Sequence, residues 1–131
     1  MLIDKQLLDS VSEQARNNGR LRMNFNFHTS PEAKSQRLLN AIEMDSVIPI
    51  HRHKNTAETY ILLRGKIRVV FYTENGDITE LFDLDPVAGN YGIDIPQGQW
   101  HSLEVLAPDS VIFEVKDGPY TPLSAEDILH I

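Results

Sequence analysis

The chain has 131 residues, a length typical of one domain, and 41% of them are hydrophobic, which is enough for a core. Its net charge of −7 and pI near 5.1 argue against a general binder of nucleic acid or of acidic membranes, for which a basic patch is expected. It has no cysteine, which excludes disulfides, thiolate catalysis and cysteine-held zinc or iron-sulfur sites.

One amphipathic helix is predicted at the N-terminus. Residues 2–18 carry apolar side chains at helical spacing among polar ones, namely Ile3, Leu7, Leu8, Val11 and Ala15. Gly19 follows Asn17 and Asn18 and favours a helix end there. We expect this helix to cover a face or an opening of the β fold that follows.

The next segment is predicted to be a strand with two different faces. Apolar and polar residues alternate from Leu21 to His28, as in a half-buried strand. The apolar positions are Leu21, Met23, Phe25 and Phe27, and the polar positions are Arg22, Asn24, Asn26 and His28.

The rest of the chain is predicted to be mostly β. Further strands are expected over residues 36–42, 59–63, 66–73, 78–84, 91–95, 100–106 and 110–116. Gly65 marks a bend, and the Asn75-Gly76 pair between two strands is a strong hairpin signal. These strands can close a double-sheet jelly roll. Ser124 is expected to cap a last short helix that contains Asp127 and Leu129.

Three histidines and one glutamate indicate a metal site. His51 and His53 are two residues apart, so they point to the same side of a strand. Glu58 is at an odd offset from His53, but residues 54–57 form a plausible loop that resets the register. His101 follows a Pro-x-Gly turn and arrives from another strand.

The ligand set predicts one divalent transition metal. Three imidazoles and a carboxylate suit Fe, Mn, Ni, Co or Zn, and the sequence does not choose among them. The alternative, that these are surface or hydrogen-bonded core histidines, is usual for a lone histidine but fits this spacing less well. An octahedral metal with four protein ligands retains two positions for water, substrate or dioxygen.

The two segments that carry these ligands, residues 51–65 and 96–101, resemble the two signature motifs of cupins. The resemblance covers about residues 45–116 and implies a double-stranded β-helix, a jelly-roll barrel. Three positions depart from the usual motif residues: Asp45, Asn90 and Val105. We predict a single domain over 1–131, with the helix in 1–18, the barrel in about 20–118 and a C-terminal tail in 119–131.

A narrower resemblance is to the WbuC-type cupin metalloproteins. It is carried by Arg22-Met23-Asn24-Phe25-Asn26-Phe27-His28, by Gln36-Arg37-Leu38-Leu39-Asn40-Ala41 and by Pro49-Ile50-His51-Arg52-His53. This resemblance implies a bacterial protein of a family associated with O-antigen and other surface-polysaccharide gene sets. It does not supply a reaction.

The polar face of the first strand is the candidate substrate face. If Arg22, Asn24, Asn26 and His28 line the barrel, they suit a sugar or a sugar phosphate; the alternative is a solvated face, and only the resemblance favours the interior. Arg37 is a candidate for anion binding or for an ion pair, and Tyr60 for pocket lining or for core packing. Arg52 is expected to point away from the histidines and to pack or form an ion pair.

Three functions remain open from the sequence. The first is a metal-dependent enzyme that isomerises, epimerises or modifies a sugar derivative, with His28 as the candidate proton shuttle. The second is an Fe(II)-dependent dioxygenase, and the third is a binding module without catalysis. A metal-free epimerase that uses histidine and an acid as bases is a further alternative.

The expected partner is a small molecule, carbohydrate-derived or acidic, rather than nucleic acid or a membrane. No stretch approaches the roughly 18 apolar residues of a membrane span, and the N-terminus lacks a signal-peptide pattern. We therefore expect a cytoplasmic protein. A homodimer is expected because cupin barrels commonly associate through sheet edges, and exposed edges need cover.

Overall fold

The computed structural model describes residues 1–130, which form one α-helix and ten strands in two antiparallel sheets. The bounds are α1 Lys5–Arg16, β1 Arg22–Asn26, β2 Ser35–Ile42, β3 Ile50–His51, β4 Glu58–Arg64, β5 Ile67–Tyr72, β6 Ile78–Leu84, β7 Gly92–Ile95, β8 Trp100–Val105, β9 Ser110–Asp117 and β10 Ile128–Leu129.

The two sheets face each other across the main core. The first sheet has the order β1-β2-β9-β4-β7, and the second has the order β10-β3-β8-β5-β6. Aliphatic and aromatic side chains from both sheets fill the space between them, among them Ile42, Leu62, Ile67, Val69 and Ile112. The predicted mainly β, jelly-roll architecture is confirmed.

Helix α1 packs on the outer face of the first sheet, as expected for an amphipathic helix beside a β fold. Its buried side chains contact Leu39, Ala41 and Val111, together with the apolar residues of β1. The Asp4 side chain accepts a hydrogen bond from the Leu7 N–H at 3.0 Å and starts the helix. The helix is therefore shorter than predicted at both ends. It is not long and apolar enough to cross a membrane, and it is the one α-helix in residues 1–130.

The predicted C-terminal helix is shorter than expected and is only a 3₁₀ turn. Residues Ala125–Asp127 form only a single 3₁₀ turn, in which the Ser124 hydroxyl donates to the Asp127 carboxylate at 3.0 Å. The chain then becomes β10, and its residues pair with β3, with Ile128 opposite His51. The open edge of β3 offers backbone hydrogen bonds that an isolated turn of helix lacks, so Ile128 and Leu129 adopt the extended form.

The loops match the expected turn positions. The predicted hairpin connects β5 and β6, and the Thr73 N–H donates to Asp77 O at 2.8 Å across it. Asp45 occupies the position where cupins often have glycine, and it adopts the left-handed backbone, with φ of 71°. The departure from the motif at Asp45 therefore leaves that turn in place, since aspartate tolerates this conformation better than most residues.

Candidate metal centre

The predicted metal site is formed between the two sheets. His51 and His101 belong to the second sheet, where they are direct partners on β3 and β8. Glu58 is the first residue of β4 in the first sheet, and His53 lies in the loop that joins the sheets. One ligand atom from each of these four side chains lies within 4.8 Å of the others. The structure thus brings the four predicted ligands into one cluster that can hold a metal ion.

Backbone carbonyls orient two of the imidazoles. His51 Nδ1 is 2.9 Å from Pro49 O, and His101 Nδ1 is 2.9 Å from Gln99 O. A carbonyl only accepts, so each Nδ1 carries the proton and donates. The Nε2 lone pairs are then available in the cluster, which is the arrangement that metal-binding histidines generally have.

One buried atom of the cluster fits a metal ion better than it fits the protein alone. His101 is 1% exposed, and within residues 1–130 its Nε2 has no hydrogen-bond partner. Glu58 Oε1 lies 2.9 Å away, but the angles are not those of a hydrogen bond. Buried polar atoms are rarely left unpaired, and a cation between this nitrogen and the carboxylate satisfies both.

The protein holds Glu58 ionised despite its burial. Burial alone raises the pKa of this carboxyl, but the contact with His101 and the charges of His53 and Lys116 outweigh it and lower the pKa to about 2. The Tyr60 hydroxyl donates to Glu58 Oε1 at 2.9 Å. Burial raises the pKa of Tyr60 well above its usual value, so this hydroxyl keeps its proton.

Burial also keeps His51 neutral. Desolvation, followed by the nearby His101, lowers the pKa of His51 to about 4. A metal ion binds the neutral imidazole, so no proton has to be displaced from this ligand near neutral pH. Burial likewise lowers the pKa of His53.

A glycine turn fixes the loop that carries His53. Gly98 has φ of 79°, a left-handed conformation that the Pro-x-Gly sequence supplies just before His101. Its N–H donates to His53 O at 2.8 Å. The turn before one ligand is therefore hydrogen-bonded to the backbone of another.

The polar face of β1 points to the same side of the first sheet as Glu58. Strand register pairs Asn24 with Asn40 and Asn26 with Leu38. Leu38 pairs with Glu114 on β9, which pairs with Tyr60 on β4. Paired residues share a face, so this row runs from β1 toward the metal cluster along the inner side of the sheet.

A polar groove of about 440 Å³ lies along this inner face. We use this name for the cavity whose polar lining includes Asn24, Asn26, His28, Gln36, Glu114 and Lys116. His28 Nδ1 lies 3.1 Å from the Arg37 backbone N–H, from which it can accept. Three of the predicted substrate-face residues thus line one cavity.

The other predicted site residues lie elsewhere. Arg22 lines a neighbouring cavity with Asn24 and Asn40. Arg37 is exposed and alternates with the inward Gln36 and Leu38, so its side chain belongs to the outer face. Tyr60 is 3% exposed and contacts Glu58 rather than the groove.

Arg52 packs outside the cluster, as expected. Its guanidinium lies 4.6 Å from the centre of the Trp100 ring, and its Nε is 3.4 Å from Asp127 Oδ1. Lys54 is also paired with Asp127 and with Glu126. The C-terminal turn thus neutralises both cations of the loop around His53.

Two of the groove residues that the sequence analysis missed lie on β9. Glu114 and Lys116 are alternate positions of β9, and they pair with Tyr60 and Glu58 respectively. Asn40 Nδ2 donates to Glu114 Oε1 at 2.9 Å. Burial and the charge of Glu58 raise the pKa of Glu114 to about 7, against the effect of that hydrogen bond. Their alternation with Phe113 and Val115 was the available signal.

Comparison with known proteins adds a family. Residues 3–84 match the model of a family described as a domain of unknown function, DUF6016. The chain belongs to this family. The DUF6016 match includes His51, His53 and Glu58, while His101 lies beyond it. A search of curated proteins found no match.

Solved structures with low sequence identity share the cupin fold. The Cnp3 cupin domain of Schizosaccharomyces pombe aligns with a TM-score of 0.59 and 12% identity, over 73% of this chain and 64% of that one. KdgF from Halomonas sp. aligns with a TM-score of 0.60 and 17% identity, over 76% of this chain and 80% of that one. The capsular polysaccharide assembling protein CapF from Staphylococcus aureus aligns with a TM-score of 0.62 and 21% identity, over 87% of this chain and 33% of that one. The chain thus spans less than two thirds of the Cnp3 domain and a third of CapF. These similarities show that the chain has a cupin fold, in agreement with the predicted fold class.

Replacing Tyr60 with phenylalanine should weaken metal binding without removing a ligand. The change deletes the hydrogen bond to Glu58 Oε1, and loss of such a supporting contact typically costs about 10- to 100-fold in metal affinity. Competition with a chromogenic chelator measures the affinity. Tyr91→Phe is the matched control, since Tyr91 is 61% exposed. Equal affinities of the two variants would contradict a supporting role for Tyr60.

The metal-free protein should lose stability as the pH falls from about 6.5 to about 4. His51 has a pKa of about 4 in the folded protein, against the usual 6.5 of a free histidine, so the unfolded chain takes up the proton first and unfolding becomes easier. The loss from this residue is on the order of 2–3 kcal/mol. Urea unfolding of chelator-treated protein across this range measures it. His51→Ala should flatten the pH dependence, whereas His130→Ala, an exposed histidine, should leave it unchanged.

Proposed function

We propose that this protein is a metal-dependent enzyme that isomerises a sugar or a sugar-derived small molecule. The observation that carries the proposal is the cluster of His51, His53, Glu58 and His101, whose first-sheet member shares its face with the polar groove. A metal next to a cavity of this size and polarity is a common arrangement for a small-molecule active site.

The four clustered side chains would hold the metal, with Fe, Mn, Ni, Co and Zn as candidates for this donor set. When bound, a divalent ion supplies a Lewis acid for a carbonyl or hydroxyl oxygen. The ligands leave coordination positions for substrate if the metal is octahedral, and an open position is what a catalytic site requires.

The groove would bind the sugar. Asn24, Asn26 and Gln36 offer both donors and acceptors, which match hydroxyl groups. The groove is within the range of about 300–1,000 Å³ that is usual for small-molecule sites. Its polar lining favours a hydroxylated ligand over an apolar one.

An isomerisation requires a group that moves a proton. A proton leaves the carbon beside the carbonyl, the C–H electron pair forms a carbon–carbon double bond, and the carbonyl oxygen takes up a proton. A proton then returns to the former carbonyl carbon, and the neighbouring hydroxyl loses its proton to become the new carbonyl, so the reaction needs no oxidant or reductant. His28 and Glu114 are the candidates in the groove.

Glu114 is closer to the cluster than His28. It lies on β9, next to the strand of Glu58, whereas β1 and the His28 that follows it are three strands away, about 14 Å at the usual strand spacing. A carboxyl group with a pKa of about 7 is suited to exchanging protons near neutral pH. We assign the proton transfer to a Glu114 carboxylate oxygen and keep His28 as the alternative carrier.

The biological setting that we propose is bacterial surface-polysaccharide metabolism. The resemblance to WbuC-type cupins supports it, and so does the similarity in fold to CapF, a capsular polysaccharide assembling protein. We also propose a homodimer. β6 is an edge strand of the second sheet, and it exposes Ile78 and Leu81 by 60% and 56%.

Protein purified without chelators or metal-affinity chromatography should contain close to one transition-metal ion per chain. His51→Ala and His101→Ala should each lose it, since each removes one of four ligands. His28→Ala is the control and should retain the metal, because His28 is in the groove but not in the cluster. Elemental analysis measures the content. Absence of metal in the wild type after reconstitution would contradict the metal site and revive the metal-free epimerase.

The metal-loaded enzyme should incorporate deuterium from D₂O at the carbon beside the carbonyl of its substrate. A panel of aldoses, ketoses and their phosphates, followed by ¹H NMR, measures the exchange. Glu114→Gln should slow it by about 10²–10⁴-fold, the usual effect of losing a general base, with unchanged metal content. If His28→Ala instead caused the large loss of exchange, the proton transfer would be assigned to His28. Oxygen consumption with these sugars, without exchange, would indicate the dioxygenase.

A further inference from the structure

Lys116 is a half-buried cation beside the cluster, and within residues 1–130 its ammonium group forms no salt bridge. The neighbouring cations form salt bridges: Arg52 with Asp127, and Lys54 with Glu126 and Asp127. Over residues 1–130, no carboxylate forms a salt bridge with Lys116. The chain has 19 acidic residues against 12 basic ones, so partners for a lysine are abundant. A lone ammonium group in a cavity lining is available to a ligand.

The position of Lys116 relates it to both the cluster and the groove. It is the direct cross-strand partner of Glu58 on one side and of Gln36 on the other. Directly opposed side chains have Cβ atoms about 4.5–5.5 Å apart, which places its stem next to a metal ligand. The side chain lines the groove and also the smaller cavity beside His53.

Arg22, a second cation on the inner face, is too remote from the cluster for this role. Arg22 is the first residue of β1. The row of paired residues that contains Glu58 crosses the sheet at the other end of β1, near residue 28. Six residues of strand correspond to about 20 Å, in addition to the two strands, β2 and β9, that separate β1 from β4. An anion that contacts the metal cluster therefore reaches Lys116 before Arg22.

A second unpartnered polar atom lies on the same face. Asn40 donates its Nδ2 hydrogen to Glu114, while its Oδ1 is buried without a hydrogen-bond partner in residues 1–130. This oxygen needs a donor, and a hydroxyl group supplies one. Glu114 accepts further hydroxyl hydrogens when ionised. Near the cluster, the inner face thus offers the cation Lys116 and several groups that pair with hydroxyls.

We propose that Lys116 and Glu114, the two inward polar residues of β9, form a subsite for a polyhydroxylated ligand that carries one anionic group. Lys116 binds the anionic group, a phosphate or a carboxylate, beside the cluster, and Glu114, which Asn40 holds by a hydrogen bond, binds hydroxyl groups. This inference rests on the proposed function for the identity of the site, and it narrows the substrate from sugars in general to acidic sugars or sugar phosphates.

Isothermal titration calorimetry of the 131-residue protein, as purified, tests the subsite with defined probes. These are D-glucitol 6-phosphate, D-gluconate, neutral D-glucitol and inorganic phosphate. We expect one of the two anionic polyols to bind at least tenfold more tightly than D-glucitol and than phosphate. The better anionic probe identifies phosphate or carboxylate as the group. Equal binding of D-glucitol and both anionic polyols, or binding of none, would overturn the proposal.

Substitution of the lysine provides the second arm. Lys116→Met should lower the affinity for the anionic polyol by roughly tenfold or more, as expected for losing a hydrogen bond to a charged group. The affinity for D-glucitol should not change. Lys116→Arg should retain most of the affinity, and thermal unfolding checks that both variants fold. Arg37→Met, on the exposed outer face, is the matched control. Wild-type affinity in Lys116→Met would overturn the assignment.

The outcomes separate this inference from the proposed function. Lys116 is not a predicted metal ligand, so the metal content of Lys116→Met should equal that of the wild type. Binding that depends on Lys116 without any isotope exchange would leave the subsite in place and contradict the isomerase. Exchange in the wild type with binding that is insensitive to Lys116 would contradict the subsite alone.

Discussion

The pairing of β9 determines what both faces of the first sheet do. This strand is hydrogen-bonded to β2 on one side and to β4 on the other over most of its length. Its side chains alternate, so Phe113 contributes to the cluster under helix α1, while Glu114 and Lys116 line the groove. A shift of one residue would exchange the two faces. The helix contact therefore stabilises the same register that orders the polar groups of the site.

The cluster of four predicted metal ligands brings together groups that are unfavourable side by side in a metal-free interior. A carboxylate that is 3% exposed lies beside three imidazoles, and one buried imidazole nitrogen has no partner within the described chain. Tyr60 and Lys116 supply only part of the stabilisation that water would give to this carboxylate. A bound cation changes the balance, because the same lone pairs that are unpaired without it become ligands.

The sequence was informative where chemistry constrains spacing. His51, His53 and Glu58 were predicted as one set because a strand and a short loop allow few other arrangements, and His101 was recognised from its turn. The face of β1 was not decidable, since alternation shows that two faces differ but not which one meets a second sheet. The register of β1, β2, β9 and β4 places this face on the inner side of the first sheet, where Asn24 and Asn26 are still exposed, and that register depends on long-range pairing.

Two other differences between prediction and structure also have physical causes. Glu114 and Lys116 alternate with apolar residues, a pattern that equally fits a strand with one solvated face, so nothing in the sequence separated them from surface charges. The C-terminal segment was predicted as a helix from a capping serine and two later residues. The open edge of β3 decided its conformation, and a neighbour that is some 75 residues away is invisible to a local pattern.

The hydrogen bond from Gly98 to His53 bears on how quickly a bound ion exchanges with the medium. An ion leaves a multidentate site by successive dissociation of its ligands, and each detached ligand can return before the next one leaves. Joining the His53 loop to the turn before His101 limits how far either imidazole moves when detached. Release then requires an opening of the loop and turn together, which is rarer than the motion of either one. For a metal held by these four side chains, the lifetime of the complex is set by local opening of the protein and not by the strength of any single bond.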